Sequence, residues 1–206
     1  KPLVSGERLK KTIGDPDNVI GHMQRAYVIR KILEERERCR FKGIGIDVGC
    51  GQAISPFCVG LDYYSTDNGG QHPDYKSGTY SPHIILRGDV YNKSFPSLKR
   101  EFLQYPLKLL GDNTFDFLVS NHSLEHMENT AETLKEWIRI VKPGGALIIV
   151  MPDADYYVGG DSGHKNVYTP ANFKERVMDK VVDLVTVEEI DTFQNKFSFP
   201  VLLRKK

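Results

Sequence analysis

Cysteine is scarce in this 206-residue sequence. Cys39, Cys50 and Cys58 are the only three, too few and too unevenly spaced for a disulfide framework or a zinc site. A reducing, cytoplasmic setting is the simplest expectation. Long apolar runs are missing too. None reaches the roughly 18 to 20 residues that cross a bilayer, so no membrane span is expected, and the first residues lack a signal-peptide pattern. The chain opens at Lys1 rather than Met, which leaves room for further residues upstream, a removed signal among them. Net charge is nearly absent: 28 Lys and Arg against 27 Asp and Glu leave +1. That balance gives no electrostatic reason to expect nucleic acid or an anionic membrane as partner. Internal repeats and low-complexity stretches are lacking as well. With 40% apolar and 27% charged residues, what remains has the composition of an ordinary globular protein.

What is present is an alternation of helical and strand-like segments. Residues Asn18 to Arg38 carry Ile20, Met23, Tyr27, Val28 and Ile32 at helical spacing. The charged run Glu34 to Arg40 reads as its solvated end. The segment from Gly43 to Gly51 is a short apolar run that turns abruptly glycine-rich, as a buried strand does when it enters a tight turn of a parallel sheet. Further strands are expected at Phe57 to Leu61, Ile84 to Leu86, Phe115 to Val119 and Ala146 to Met151. The turn Gly111-Asp-Asn113 announces the fourth strand and Pro143-Gly-Gly145 the fifth. Between those two, Leu124 to Val141 suits an amphipathic crossover helix. Thr169-Pro170 looks like an N-cap with proline at the first helical position, so a helix is predicted from Pro170 towards Lys180. Leu184 to Ile190 and Phe197 to Leu203 complete the pattern as an antiparallel edge hairpin. The fold class is α/β, with a mostly parallel central sheet.

Open parallel sheets bind ligands at the carboxyl ends of their strands, beside the topological switch point. Polar groups stand at four such ends in sequence order. Asp47-Val-Gly-Cys-Gly51 supplies glycines that let backbone approach a ligand, with Asp47, Gly49, Cys50 and Gly51 as candidates. Asp62 ends the second strand, where a carboxylate can accept from a ribose diol. Asp89 and Val90 end the third, where Asp89 could accept from an exocyclic amine. Ser120-Asn121-His122 end the fourth.

These segments resemble class I S-adenosylmethionine-dependent methyltransferases, of the broad type 11 group. Ile46 to Gly51 is similar to their first motif and Phe115 to His126 to their fourth-strand segment. Trp137 to Gly145, followed by Leu147 to Pro152, is similar to their fifth-strand signature. The resemblance covers about residues 43 to 152 and implies a Rossmann-like methyltransferase fold with S-adenosyl-L-methionine as cofactor. It implies that the backbone around Gly49 and Gly51, with Asp47, holds the methionine end. It further implies that Asp62 binds the ribose, that Asp89 and Val90 contact adenine, and that Asn121 lies near the sulfonium. His122 then faces the transferred methyl or the acceptor and is the catalytic candidate, since a hydroxyl acceptor needs a base and imidazole titrates near working pH. Glu125 and His126 read as groups that fix the following helix. His22, His72, His83 and His164 are scattered without ligand spacing, so no metal is expected.

The resulting expectation is one methyltransferase domain over 1–206, with a helical segment at 1–40, a cofactor core at 43–152, and a substrate-side loop, helix and edge hairpin at 153–206. It would act on a small-molecule acceptor such as a sugar or glycan precursor. Nothing in the sequence fixes an oligomeric state. Two departures keep other readings open. Only about ten residues separate Gly51 from Asp62, fewer than a full crossover takes, which keeps alive a non-catalytic module with the same fold. Residues Tyr63 to Pro82 are polar and turn-rich, a loop in place of a second crossover helix. A nicotinamide oxidoreductase shares the glycine turn, but Ile54 holds the place of its third glycine.

Overall fold

The computed structural model describes residues 16–37, 43–49, 55–64, 81–85, 110–127, 129–156, 164–191, 193 and 197–206. Its centre is a seven-stranded sheet: β1 (Gly45–Val48), β2 (Cys58–Tyr64), β3 (Ser81–Ile85), β4 (Phe115–Asn121), β5 (Val141–Pro152), β6 (Val185–Ile190) and β7 (Ser198–Lys205). The strand order is β3-β2-β1-β4-β5-β7-β6. β2, β1, β4 and β5 pair in parallel. β7 inserts antiparallel between β5 and β6, so the mostly parallel sheet with an antiparallel C-terminal hairpin is as expected. The chain reverses its strand order between β1 and β4, and this places the switch point there.

β1, β4, β7 and the Ala146–Pro152 stretch of β5 are buried on both faces, and their side chains alternate between two cores, as the two-residue period of a strand requires. On one face Ile46, Val48, Leu118, Leu147, Ile149, Val201 and Leu203 pack with Leu134, Trp137 and Ile138 of α2 (Thr130–Ile140) and with Phe173 of α3 (Pro170–Arg176). On the other, Phe117, Val119, Ile148, Val150 and Leu202 meet Tyr27, Val28 and Ile32 of α1 (Pro16–Glu37). Both short helices begin where their sequences direct. The Asn129 side chain accepts from the Glu132 N–H at 3.2 Å. Thr169 and Asn172 cap each other reciprocally ahead of Pro170, the capping-box arrangement.

Several expectations are corrected. Met23 points outward, half exposed, and the buried stripe of α1 takes in polar Gln24 and Glu35 instead. Glu35, expected in a solvated helix end, is 2% exposed because Arg204 of β7 grips both of its oxygens at 2.9 Å. The crossover helix starts only at Thr130, after a 3-10 turn at Leu124–His126. The helix after Thr169 gives way at Arg176 to a second 3-10 turn, Met178–Lys180. β2 runs on through Asp62 to Tyr64, so Asp62 lies within the strand and not at its end. β3 is antiparallel to β2, with Ser81 beside Tyr64 and Ile85 beside Gly60. It therefore leads away from the carboxyl ends of β1 and β4, whereas the expectation for Asp89 and Val90 had the third strand arriving there. Asp89 and Val90 themselves, together with Cys50, Gly51 and most of the Tyr63 to Pro82 loop, lie outside the described residues. No helix of the described residues is long and apolar enough to cross a membrane.

Candidate functional site at the sheet switch point

β1 ends in a turn that only glycine accommodates. Gly49 has φ +75°, a left-handed conformation that an ordinary side chain adopts at a cost. A Cβ on it would also lie 2.5 Å from Cβ and Oγ of Ser123. The turn is pinned from two sides: the Gly49 N–H donates to the Leu61 carbonyl at 2.8 Å, and the chain returns to it at Ser55. Asp47, 3% exposed, accepts from the Ser55 N–H at 2.7 Å. This carboxylate therefore ties the end of β1 to Ser55, just ahead of β2. Asp62 follows Leu61, the register partner of Val48, so its backbone stands level with the glycine turn.

Across the switch point β4 ends in Ser120-Asn121-His122. The Asn121 Oδ1 is buried and has no hydrogen-bond partner among the described residues. Buried polar atoms are nearly always satisfied, so this oxygen is suited to a donor from a ligand. His122 takes a positive φ of 53°, and its N–H donates to the Val150 carbonyl at 2.9 Å, which turns the chain sharply out of the sheet. Its Nε2 lies 3.0 Å from the Ser198 Oγ, and the Gln24 Nε2 in turn donates to that hydroxyl. On the other side of the ring, the His122 Nδ1 lies 3.5 Å from the Glu125 Oε1. Burial, followed by the fields of His164 and His126, pushes the His122 imidazole down to about 4. The expectation that it titrates near neutrality is thus overturned by desolvation, which disfavours the charged ring.

The wall beyond β5 is also ordered by backbone bonds. Asp153 bridges to Tyr168, the Ala154 N–H donates to the Tyr168 carbonyl at 2.8 Å, and the Tyr168 hydroxyl meets Thr130 Oγ1 at 2.9 Å. These contacts draw the segment after β5 over the 3-10 turn that follows β4.

The structure therefore brings together Asp47, Gly49, the Asp62 backbone, Asn121 and His122 of the sequence-predicted set. Sequence reasoning missed Ser123, which fills the space a glycine side chain would need, and the Gln24–Ser198 pair that holds His122. Ser198 is 76 positions from His122, and no spacing rule connects them. Only the alternation of β7 could have shown that Ser198 points inward.

Comparisons with known proteins agree with this architecture. The family model described as "Methyltransferase domain" matches residues 20–181. Among solved structures, an S-adenosylmethionine-dependent methyltransferase from Aquifex aeolicus is similar at 16% identity and TM-score 0.52, covering 98% of this chain and 100% of that one. A protein from Listeria monocytogenes, also described as an S-adenosylmethionine-dependent methyltransferase, is similar at 10% identity and TM-score 0.52, covering 90% and 99%. One from Mesorhizobium loti matches at 13% identity and TM-score 0.50, covering 82% and 95%. At these identities the structures speak for the fold. No curated protein matches the sequence.

Proposed function

This chain belongs to the methyltransferase-domain family, and from that premise we propose that it moves a methyl group from S-adenosyl-L-methionine to a small-molecule acceptor, a sugar or glycan precursor, in the cytoplasm. The observation that carries the cofactor site is the pairing of the left-handed Gly49 turn at the end of β1 with the buried Asn121 Oδ1 across the switch point. An ammonium group of the ligand would satisfy that oxygen, while the backbone around Gly49 and Gly51, with Cys50, would receive the methionine end. Asp47 acts one step back, by holding Ser55 and hence the turn. Asp62 is the candidate for the ribose hydroxyls. Bound there, the cofactor supplies a methyl carbon already activated by positive sulfur, so the protein's main task is to align the acceptor. His122 is the catalytic candidate on the acceptor side: a neutral ring, held by Ser198, that shapes the pocket wall against which the acceptor is aligned.

Calorimetric titration of S-adenosylhomocysteine into the purified protein tests the reading. Micromolar binding is expected despite the short connection between β1 and β2. Asp62→Ala should weaken it at least tenfold. His122→Ala should leave it nearly unchanged and, once an acceptor is in hand, lower turnover. Absence of binding at millimolar ligand would favour a non-catalytic module with the same fold, and tight NADH binding in its place would favour an oxidoreductase.

A further inference from the structure

Next to this site, three side chains that the methyl-transfer reading does not use converge on a point. Glu125, His126 and His164 each offer a ligand atom, and these atoms lie within 4.8 Å of one another. The Glu125 Oε1 is 4.0 Å from the His126 Nε2 and 3.9 Å from the His164 Nε2, and the two rings meet edge to face with centroids 4.8 Å apart. The His122 Nδ1 approaches the same carboxylate oxygen at 3.5 Å. Glu125 is 1% exposed, and the side chain of His164 is 8% exposed, so the group is set into the protein rather than strewn over its surface.

The cluster is also held from behind. The Glu125 carbonyl accepts two N–H donors, from Lys165 and Asn166, each at 3.0 Å, and the Asn166 side chain donates to the Met127 carbonyl at 2.6 Å. These bonds fasten the residues flanking His164 to the 3-10 turn that carries Glu125 and His126. Side chains separated by nearly forty positions are thereby fixed against each other by their backbones, which is the pre-organisation a ligand set needs.

We propose that Glu125, His126 and His164 form a binding site for a divalent transition-metal ion of the zinc type, at the carboxyl ends of β4 and β5. Two imidazoles with one carboxylate suit zinc, iron(II) and their neighbours, and not magnesium or calcium, which prefer all-oxygen sets. Metal-bound nitrogen and oxygen atoms sit about 2.0 to 2.2 Å from zinc, so the ligand atoms need to draw together by roughly 1 Å, within reach of side-chain rotation. Three protein ligands leave the ion a position for water or for an oxygen-bearing acceptor. The acceptor role rests on the methyl-transfer reading; the binding of the ion does not. The sequence hid the site because His164 stands far along the chain from the Glu125-His126 pair, and the expectation of no metal was drawn from that separation.

Cobalt(II) and zinc(II), titrated into tag-free full-length protein that has been stripped with chelator, test the proposal. Visible absorption bands of nitrogen- and oxygen-bound cobalt, and zinc retained after dialysis, are expected at one ion per chain with micromolar affinity. His126→Ala and His164→Ala should each weaken binding at least tenfold, while binding of S-adenosylhomocysteine to the same samples stays unchanged. His164→Cys, which keeps a ligand, should retain zinc and shift the cobalt spectrum towards thiolate absorption. Binding undiminished in the His126→Ala, His164→Ala double variant, or no cobalt spectrum at a hundredfold excess, would overturn the proposal. Loss of S-adenosylhomocysteine binding alone would count against the methyl-transfer reading and leave the metal site standing.

Discussion

At the scale of single residues, the site depends most on an atom that is missing. Gly49 combines a left-handed backbone with a neighbour, Ser123, standing where a side chain would go. Gly49→Ala should therefore cost about 1 kcal/mol for the conformation and more for the contact. It should lower the melting temperature and weaken S-adenosylhomocysteine by at least tenfold in the same calorimeter. Gly144 is the internal control: it too has a positive φ, 77°, but nothing lies within 4 Å of its added Cβ. Gly144→Ala should cost only the conformational part, with cofactor affinity intact. Much at this scale could be read from the chain, because Asp47, Gly49, Asn121 and His122 sit at strand ends that apolar periodicity locates. The environment of His122 could not. Its low proton affinity arises from burial and from His164 and His126 nearby, and burial is a property of the packed chain.

At the scale of elements, the association of α1 with the sheet turns on polar contacts inside an apolar face. Arg204 holds Glu35 of α1 and Glu188 of β6 together, and Lys31 reaches Glu189 at 2.9 Å. Removing Glu35 takes two charge-assisted hydrogen bonds from Arg204, which keeps Glu188, at a cost of about 1.5 to 3 kcal/mol. Glu35→Ala should show this loss as an earlier midpoint in urea, whereas Glu34→Ala, at a more exposed position paired with Arg30 at 3.7 Å, should shift the midpoint little. The sequence indicated the helix but misjudged its face, since Met23 is apolar and yet exposed, while Gln24 and Glu35 are polar and buried. Hydrophobic periodicity detects burial only where burial is apolar. The direction of β3 was equally hidden, because a strand's apolar pattern reads the same whether its neighbour runs with it or against it.

Across the whole molecule, stability should be greatest where strands are covered on both faces and paired on both edges. β4, β5 and β7 meet these conditions, whereas β3 and β6 are the outermost strands among the described residues. Native-state hydrogen exchange should find the slowest amides at Leu118 to Ser120, Leu147 to Val150 and Val201 to Leu203, opening only with global unfolding. Amides of Thr186 to Glu188 should exchange faster by orders of magnitude. The α/β class and the terminal hairpin were legible from the alternation of segments, whereas the place of β7 between β5 and β6 is a matter of pairing that the alternation does not encode.

The insertion of β7 between β5 and β6 has a consequence for how the protein is made. Synthesis runs from the N-terminus, so β5 emerges from the ribosome nearly fifty residues before its partner Ser198–Lys205. Throughout that interval β5, with its apolar run Ala146 to Met151, has one edge open. α1, made earlier still, meanwhile lacks Ser198 and Arg204, the residues that receive Gln24 and Glu35. A nascent chain halted at this stage is a template for unwanted strand pairing, and its safety rests on how quickly the last strand arrives.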